Sequence, residues 1–395
     1  MDSDTALELV KKGATLLFLD VPKHTLLGID TQMFSAGPKF KGIKMIPPGP
    51  HFVYYCSSNR VGTEFSPMIG FFINANPSEV IVRKWDLQEE RLVKLSDEEE
   101  EERYCLAVRS LEFDKYLGPY ALNQFGEWKM LSNYITKSVI ERIEPIGAEI
   151  NVIHEPDILG YGPETAMEKA LSEQLKNTNV PITDDKLKKR GCYYTKVPHL
   201  IKQKGIPGQD LTSLNLDKTS LLERILMKEY GGDEDLLLGE LQFAFVAFLM
   251  GHSLEAFLQW KAVVSLLLGC IEAPLHTRTR LFIKFIKVLY SQLKYAFQKD
   301  RTDNNVAAEG SLTLLDDSLL SEDSFLQHLC KEFFSLVFEA DFVDGDLLCW
   351  TRKLKELLEV ALGWVFQQNT RDGIFYEEDD EFAPVVVTSD ELNYD

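Results

Sequence analysis

No two cysteines of the sequence form a Cys-x-x-Cys pair: the six thiols, at positions 56, 105, 192, 270, 330 and 349, are widely and irregularly spaced. That spacing offers no half of a zinc or redox site, and it suits thiols kept reduced in a cytosolic or nuclear protein. An Asn-x-Ser/Thr glycosylation acceptor is missing as well, and the Met1-Asp2-Ser3-Asp4 start lacks the positive region and apolar core of a secretion signal. Long apolar runs are absent. The longest, Phe243 to Met250, falls far short of the about 20 residues that span a bilayer, and Glu240 and Gln242 stand just before it. These absences lead us to expect a soluble protein of cytoplasm and nucleus with no membrane partner. Positive charge is scarce too, with 42 Lys+Arg against 62 Asp+Glu and a formal balance of -20. Phosphate neutralisation needs Lys and Arg gathered on one face, so direct RNA binding is not expected and protein partners are favoured.

Motifs for chemistry are equally thin. Seven histidines, at 24, 51, 154, 199, 252, 276 and 328, include no pair at helical metal-ligand spacing, and neither a phosphate-cradling nor a dinucleotide glycine loop occurs. Gly251-His252-Ser253-Leu254-Glu255 comes nearest to a hydrolase elbow, but it lacks the second glycine and falls between two helical patterns. Ser253 therefore reads as a helix cap. His51, and His24 with Asp30, are close enough in sequence to meet as ligands or as acid and base, but a hydrogen-bonded structural role is the expectation. No catalytic residue, metal or cofactor is predicted.

What the sequence does have is 45% hydrophobic residues over 395 positions, enough for two or three domains of roughly 100 to 200 residues. Residues 1–150 read as a β-rich domain with helices after residue 97. Its strands are expected over Thr15–Leu19, Phe40–Ile46, Phe52–Cys56, Met68–Ile73, Val80–Trp85 and Arg91–Leu95, and Pro, Gly and Asn breaks between them suggest an antiparallel sandwich or open barrel. Lys39, Lys41 and Lys44 fall on one strand and read as a solubilising sheet edge. The acidic run Asp97–Glu102 suits a helix N-terminus. Pro119 is expected to separate two helices, with Trp128, Leu131 and Ile135 forming one apolar stripe.

Residues 151–210 lose hydrophobic periodicity and accumulate Pro and Gly, as in an extended linker crossing the surface. Within them Thr165–Leu175 suits a short helix and Cys192–Val197 an edge strand. Residues 211–370 read as a separate all-α bundle of four to six helices. In it Leu237, Leu241, Ala244, Phe245 and Phe248 share a face, followed by helices over Leu254–Leu268, Thr277–Phe297, Asp323–Ala340 and Leu347–Phe366. Residues 371–395 form an acidic tail, with nine acids and no Lys or Arg after Arg371. Inside it Phe382-Ala383-Pro384-Val385-Val386-Val387 is a β-prone run suited to joining an exposed sheet edge on a partner.

The least generic residues are Gly28-Ile29-Asp30, the run from Gly37 to Gly49, His51-Phe52, Gly70-Phe71-Phe72, Leu117-Gly118-Pro119-Tyr120, Gly239 to Val246, Glu255-Ala256-Phe257, Trp260-Lys261 and Ala383 to Val387. In this order the sequence resembles the AAR-two splicing-factor family. The resemblance implies an α+β chain, with a β-sandwich-like N-terminal domain and a VHS-like helical C-terminal domain. It implies a non-enzymatic factor in U-five small nuclear ribonucleoprotein assembly that binds the RNase H-like region of the Prp-eight scaffold and excludes the Brr-two helicase. Strand addition by the tail then maps onto Phe382, Pro384, Val385, Val386 and Val387. A VHS-like trafficking or ubiquitin adaptor and, less favoured, a hydrolase are the alternatives.

Overall fold

The computed structural model describes residues 12–59, 62–145, 147–151, 191–198, 216–302 and 325–366. Its N-terminal strands are β1 (Ala14–Leu19), β2 (Leu26–Ile29), β3 (Gln32–Ser35), β4 (Gly42–Ile46), β5 (Gly49–Cys56), β6 (Ile69–Ala75), β7 (Val80–Asp86), β8 (Arg91–Val93), β9 (Leu117–Pro119) and β10 (Ile150–Asn151). They form two five-stranded sheets, ordered β8-β7-β1-β4-β9 and β10-β6-β5-β2-β3. Alternation along the strands sets the layers. Leu16, Phe18, Ile43 and Ile81 of the first sheet share a buried core with Leu27, Ile29, Val53 and Phe71 of the second. Leu17, Leu19 and Val82 point the other way and pack on Val108 of α1 (Glu98–Arg109).

All six expected strands are present. Two details differ from expectation. The first sheet is mixed, because β1 pairs with β7 and β4 with β9 in parallel. And the lysine-bearing strand is no edge: β4 lies between β1 and β9, while Lys44 reaches Asp114. Pro119 does separate two helices, Glu98–Arg109 and Phe125–Ser132, and it also ends β9. The acidic run does start a helix, with Asp97 accepting the amides of Glu99 and Glu100.

After β9 come α2 (Phe125–Ser132) and α3 (Lys137–Ile143), and the helical region supplies α4 (Thr219–Tyr230), α5 (Glu234–Leu249), α6 (Leu254–Leu268), α7 (Thr279–Thr302), α8 (Phe325–Glu339) and α9 (Gly345–Leu362). The class is α+β. None of the described helices is long and apolar enough to cross a membrane. α4 stops at Gly231 in the left-handed conformation, φ 61°. α5 departs from the single apolar face expected of it, since every residue from Leu237 to Leu249 is buried.

The reason is that α5 is enclosed by the other elements. The described residues up to Trp364 belong to one compact unit, so the helical region is no separate bundle. Phe243 of α5 stacks on Phe72 of β6, with ring centroids 4.3 Å apart. Gly239 lets the helix backbone approach the turn between α2 and α3: a Cβ there would stand 2.6 Å from the Tyr134 carbonyl oxygen. One turn on, Gln242 accepts the Tyr134 amide at 2.7 Å and donates to the Asn133 side chain at 2.7 Å and the Met130 carbonyl at 3.2 Å.

Candidate functional site

The tail residues Phe382, Pro384, Val385, Val386 and Val387 lie outside the described residues, as does Thr165–Leu175. The chemistry-bearing candidates lie within them. Ser253 is buried and caps α6, its hydroxyl accepting the Ala256 amide. A hydroxyl so placed serves the helix start, where backbone amides otherwise go unpaired.

The register of β2 against β5, Ile29 opposite Val53, brings Asp30 to His51. His51 Nδ1 stands 2.6 Å from Asp30 Oδ2, and Nε2 stands 2.6 Å from the Pro47 carbonyl oxygen. The same carboxylate accepts the Tyr120 hydroxyl at 2.6 Å and the Phe52 amide at 2.9 Å. A carbonyl only accepts, so Nε2 carries a proton, and an ionised Asp30 asks for a second on Nδ1. Burial works against this imidazolium, but the charge and hydrogen bond of Asp30 outweigh it and hold the His51 pKa above 6.5. His51 and Asp30 are both fully buried, walled in by Trp128 and Phe125. The cluster is a fully satisfied structural network that ties β2, β5 and the segment after β9. His24 does not join it: that side chain is exposed, beside Gly62. Among the described residues no group of three or more His, Cys, Asp or Glu is arranged to hold a metal ion.

A second polar site was not anticipated from the sequence. Residues 191–198 do not pair as an edge strand; Tyr193, Lys196 and Pro198 are exposed while Cys192 and Thr195 are buried, and side chains of the helices hold their backbone. Glu240 of α5 accepts the Thr195 amide at 2.8 Å through Oε1, and the Thr195 and Tyr230 hydroxyls, each at 2.9 Å, through Oε2. Gln259 of α6 donates to the Thr195 carbonyl at 2.9 Å and to Glu240 at 2.8 Å. Glu255 accepts the Cys192 amide at 3.1 Å. From α3, Arg142 donates to the Thr195 hydroxyl at 3.0 Å and lies 4.4 Å from the Tyr230 ring centroid, and the Ile143 carbonyl accepts the Tyr193 amide.

This is a peptide-holding cradle built from four helices. It satisfies every backbone group of Thr195 inside a low-polarity interior, where an unpaired group is costly. Burial pushes the Glu255 carboxyl up to about 7. Burial, reinforced by Glu255, raises the Cys192 thiol well above its ordinary range, which makes Cys192 a packed thiol and not a nucleophile. The signal available in sequence was the presence of Glu240, Gln242, Glu255 and Gln259 inside otherwise apolar helices.

The His51–Asp30 network lies among the sheets, whereas the cradle joins Arg142 and Ile143 of α3 to α4, α5 and α6. Comparison with known proteins divides the chain into two matched stretches. The family models that match are the AAR2 N-terminal domain, over residues 12–145, and the AAR2 C-terminal repeat region, over residues 194–367. The chain belongs to the AAR2 family. It is 31% identical over 403 residues to Protein AAR2 homolog of Homo sapiens, covering 98% of this chain and 96% of the relative. The Caenorhabditis elegans AAR2 homolog is 31% identical over 367 residues, 90% of this chain and 95% of the relative. A1 cistron-splicing factor AAR2 of Saccharomyces cerevisiae is 23% identical over 298 residues, 71% of this chain and 76% of the relative. The AAR2 repeat-region match begins at residue 194, next to the Thr195 that Glu240 grips.

Proposed function

We propose that this AAR2-family chain is a non-catalytic assembly factor of pre-mRNA splicing. It binds the RNase H-like region of the Prp-eight scaffold during U-five small nuclear ribonucleoprotein maturation, in cytoplasm and nucleus, and keeps the later helicase partner away. The observation that carries this reading is similarity along almost the entire length to AAR2 relatives, among them one named as a splicing factor. The burial of Ser253 and His51 supports it, because both side chains are committed to caps and hydrogen bonds. The helical region is read as VHS-like. The apolar strand of the tail pairs with an open sheet edge on the scaffold, while its acidic flanks speed encounter with a basic surface and make the complex sensitive to salt.

Affinity purification of the endogenous protein followed by mass spectrometry tests the reading. The expected result is co-purification of Prp-eight and other U-five components. Recovery of vesicle coat or ubiquitin-pathway proteins without spliceosomal ones would overturn it.

A further inference from the structure

On a chain with a formal balance of -20, one face of the helical region gathers positive charge. α7 and α9 pack side by side, placing Tyr290 and Trp350 in edge contact with ring centroids 5.6 Å apart. Lys353 lies 4.3 Å and Lys287 lies 5.4 Å from the Trp350 ring centroid, and Lys294 lies 5.9 Å from that of Tyr290. All five side chains are partly or fully exposed. Two nearby lysines are neutralised, Lys284 by Asp235 and Lys355 by Glu359. Lys287, Lys294 and Lys353 pair with no carboxylate among the described residues.

The rings fix the ammonium groups by the attraction between a cation and an aromatic face, worth about 0.5 to 1 kcal/mol at an exposed site. Long lysine side chains usually lose much freedom on pairing; here part of that loss has already been met by the rings. With two ammonium groups and Tyr290 already against it, Trp350 offers little open face for the base stacking that single-stranded nucleic acid uses. What the cluster presents outward is N–H donors, which suit carboxylates. Lys287 and Lys294 are seven residues apart on α7, about 10 Å at the helical rise. One turn of a polyproline II chain, three residues at about 3.1 Å each, covers about the same distance and brings every third side chain back to one face.

We propose that the α7–α9 face binds an acidic, extended segment of a partner protein, whose carboxylates, spaced three residues apart, pair with Lys287, Lys294 and Lys353 around Trp350. None of these lysines belongs to the tail, so the peptide test and the Prp-eight test can fail separately. The test is fluorescence anisotropy of a labelled peptide repeating Glu-Ser-Gly, titrated with the full chain at low salt. The expected result is saturable binding that the Lys287→Gln/Lys353→Gln double variant weakens about tenfold, the loss of two partly shielded ion pairs. Binding should be unchanged in a Lys137→Gln/Lys228→Gln control and absent for a Gln-Ser-Gly repeat. Circular dichroism shows whether the double variant folds, and the single variant Lys294→Gln gives a second reading of the same face. Equal weakening by the control pair, binding of an oligouridine of similar length as tightly as the acidic peptide, or no saturable binding would overturn the proposal.

Discussion

At the residue scale, Gly70 shows what a side chain as small as a methyl would cost. A Cβ there would stand 2.3 Å from the Phe52 ring, which lies across the β6 backbone on the face that meets the helices. Gly70→Ala is expected to lower stability by about 1 to 3 kcal/mol through overpacking, measured by chemical denaturation. The family-like triplet Gly70-Phe71-Phe72 carried no readable chemistry in the sequence because its purpose is this close approach. Glu255 yields a prediction with a sign. Its ordinary pKa of 4.5 rises to about 7 in the folded protein through burial. The folded state therefore holds the proton more tightly, and the contribution of Glu255 to stability falls as pH rises from 4.5 to about 7, then levels. Glu255→Gln still accepts the Cys192 amide but does not titrate. Relative to wild type the variant should gain stability between pH 5 and pH 7.5, by up to about 3 kcal/mol; a difference that does not change with pH would refute the burial account. The meeting of His51 with Asp30 was raised by the sequence but not decided by it, since their separation of 21 residues is closed only by the β2–β5 register.

Among the elements, legibility follows how local the determining interactions are. The bounds of α6 were readable because a capping serine, an apolar period and Gly269 all lie within its own stretch. β9 and β10, three and two residues long, exist only through distant partners in β4 and β6. Residues 191–198 were misread because side chains of α3, α5 and α6 replace a neighbouring strand, leaving no period of two to detect. α5 looked one-sided for a related reason: its polar Glu240 and Gln242 are buried and fully bonded instead of facing water. Glu240→Leu removes the acceptor of four donors at once, the Thr195 amide and hydroxyl, the Tyr230 hydroxyl and the Gln259 side-chain amide. Each stranded donor costs about 1 to 3 kcal/mol. The variant should lose several kcal/mol at most and release the cradle segment, so that Cys192 reacts with a thiol reagent much faster than in wild type. Peptide-resolved mass spectrometry separates that signal from the exposed Cys349. An unchanged Cys192 rate would show that packing, and not Glu240, holds the segment.

For the whole molecule, the two AAR2 blocks are distinct in sequence but share one buried interior, through Phe72 on Phe243 and the three hydrogen bonds of Gln242. Residues 12–364 should therefore melt in a single cooperative transition, and residues 12–150 expressed alone should bind a hydrophobic dye through the uncovered face of Phe52 and Phe72. Two resolved transitions in calorimetry would show that the blocks are energetically separate. The division into a β-rich and a helical half was legible from periodicity; their fusion was not, because it rests on a glycine and a glutamine whose meaning depends on what packs against them. The proposed function makes this chain an occupant of another protein's surface. Its most direct test is the affinity of the purified chain for the Prp-eight RNase H-like region, compared with a chain ending at Arg371 and with Val386→Asp. The account predicts that both changes weaken binding, by about tenfold or more for the truncation, as expected when a paired strand is lost; equal affinity of all three proteins would contradict it.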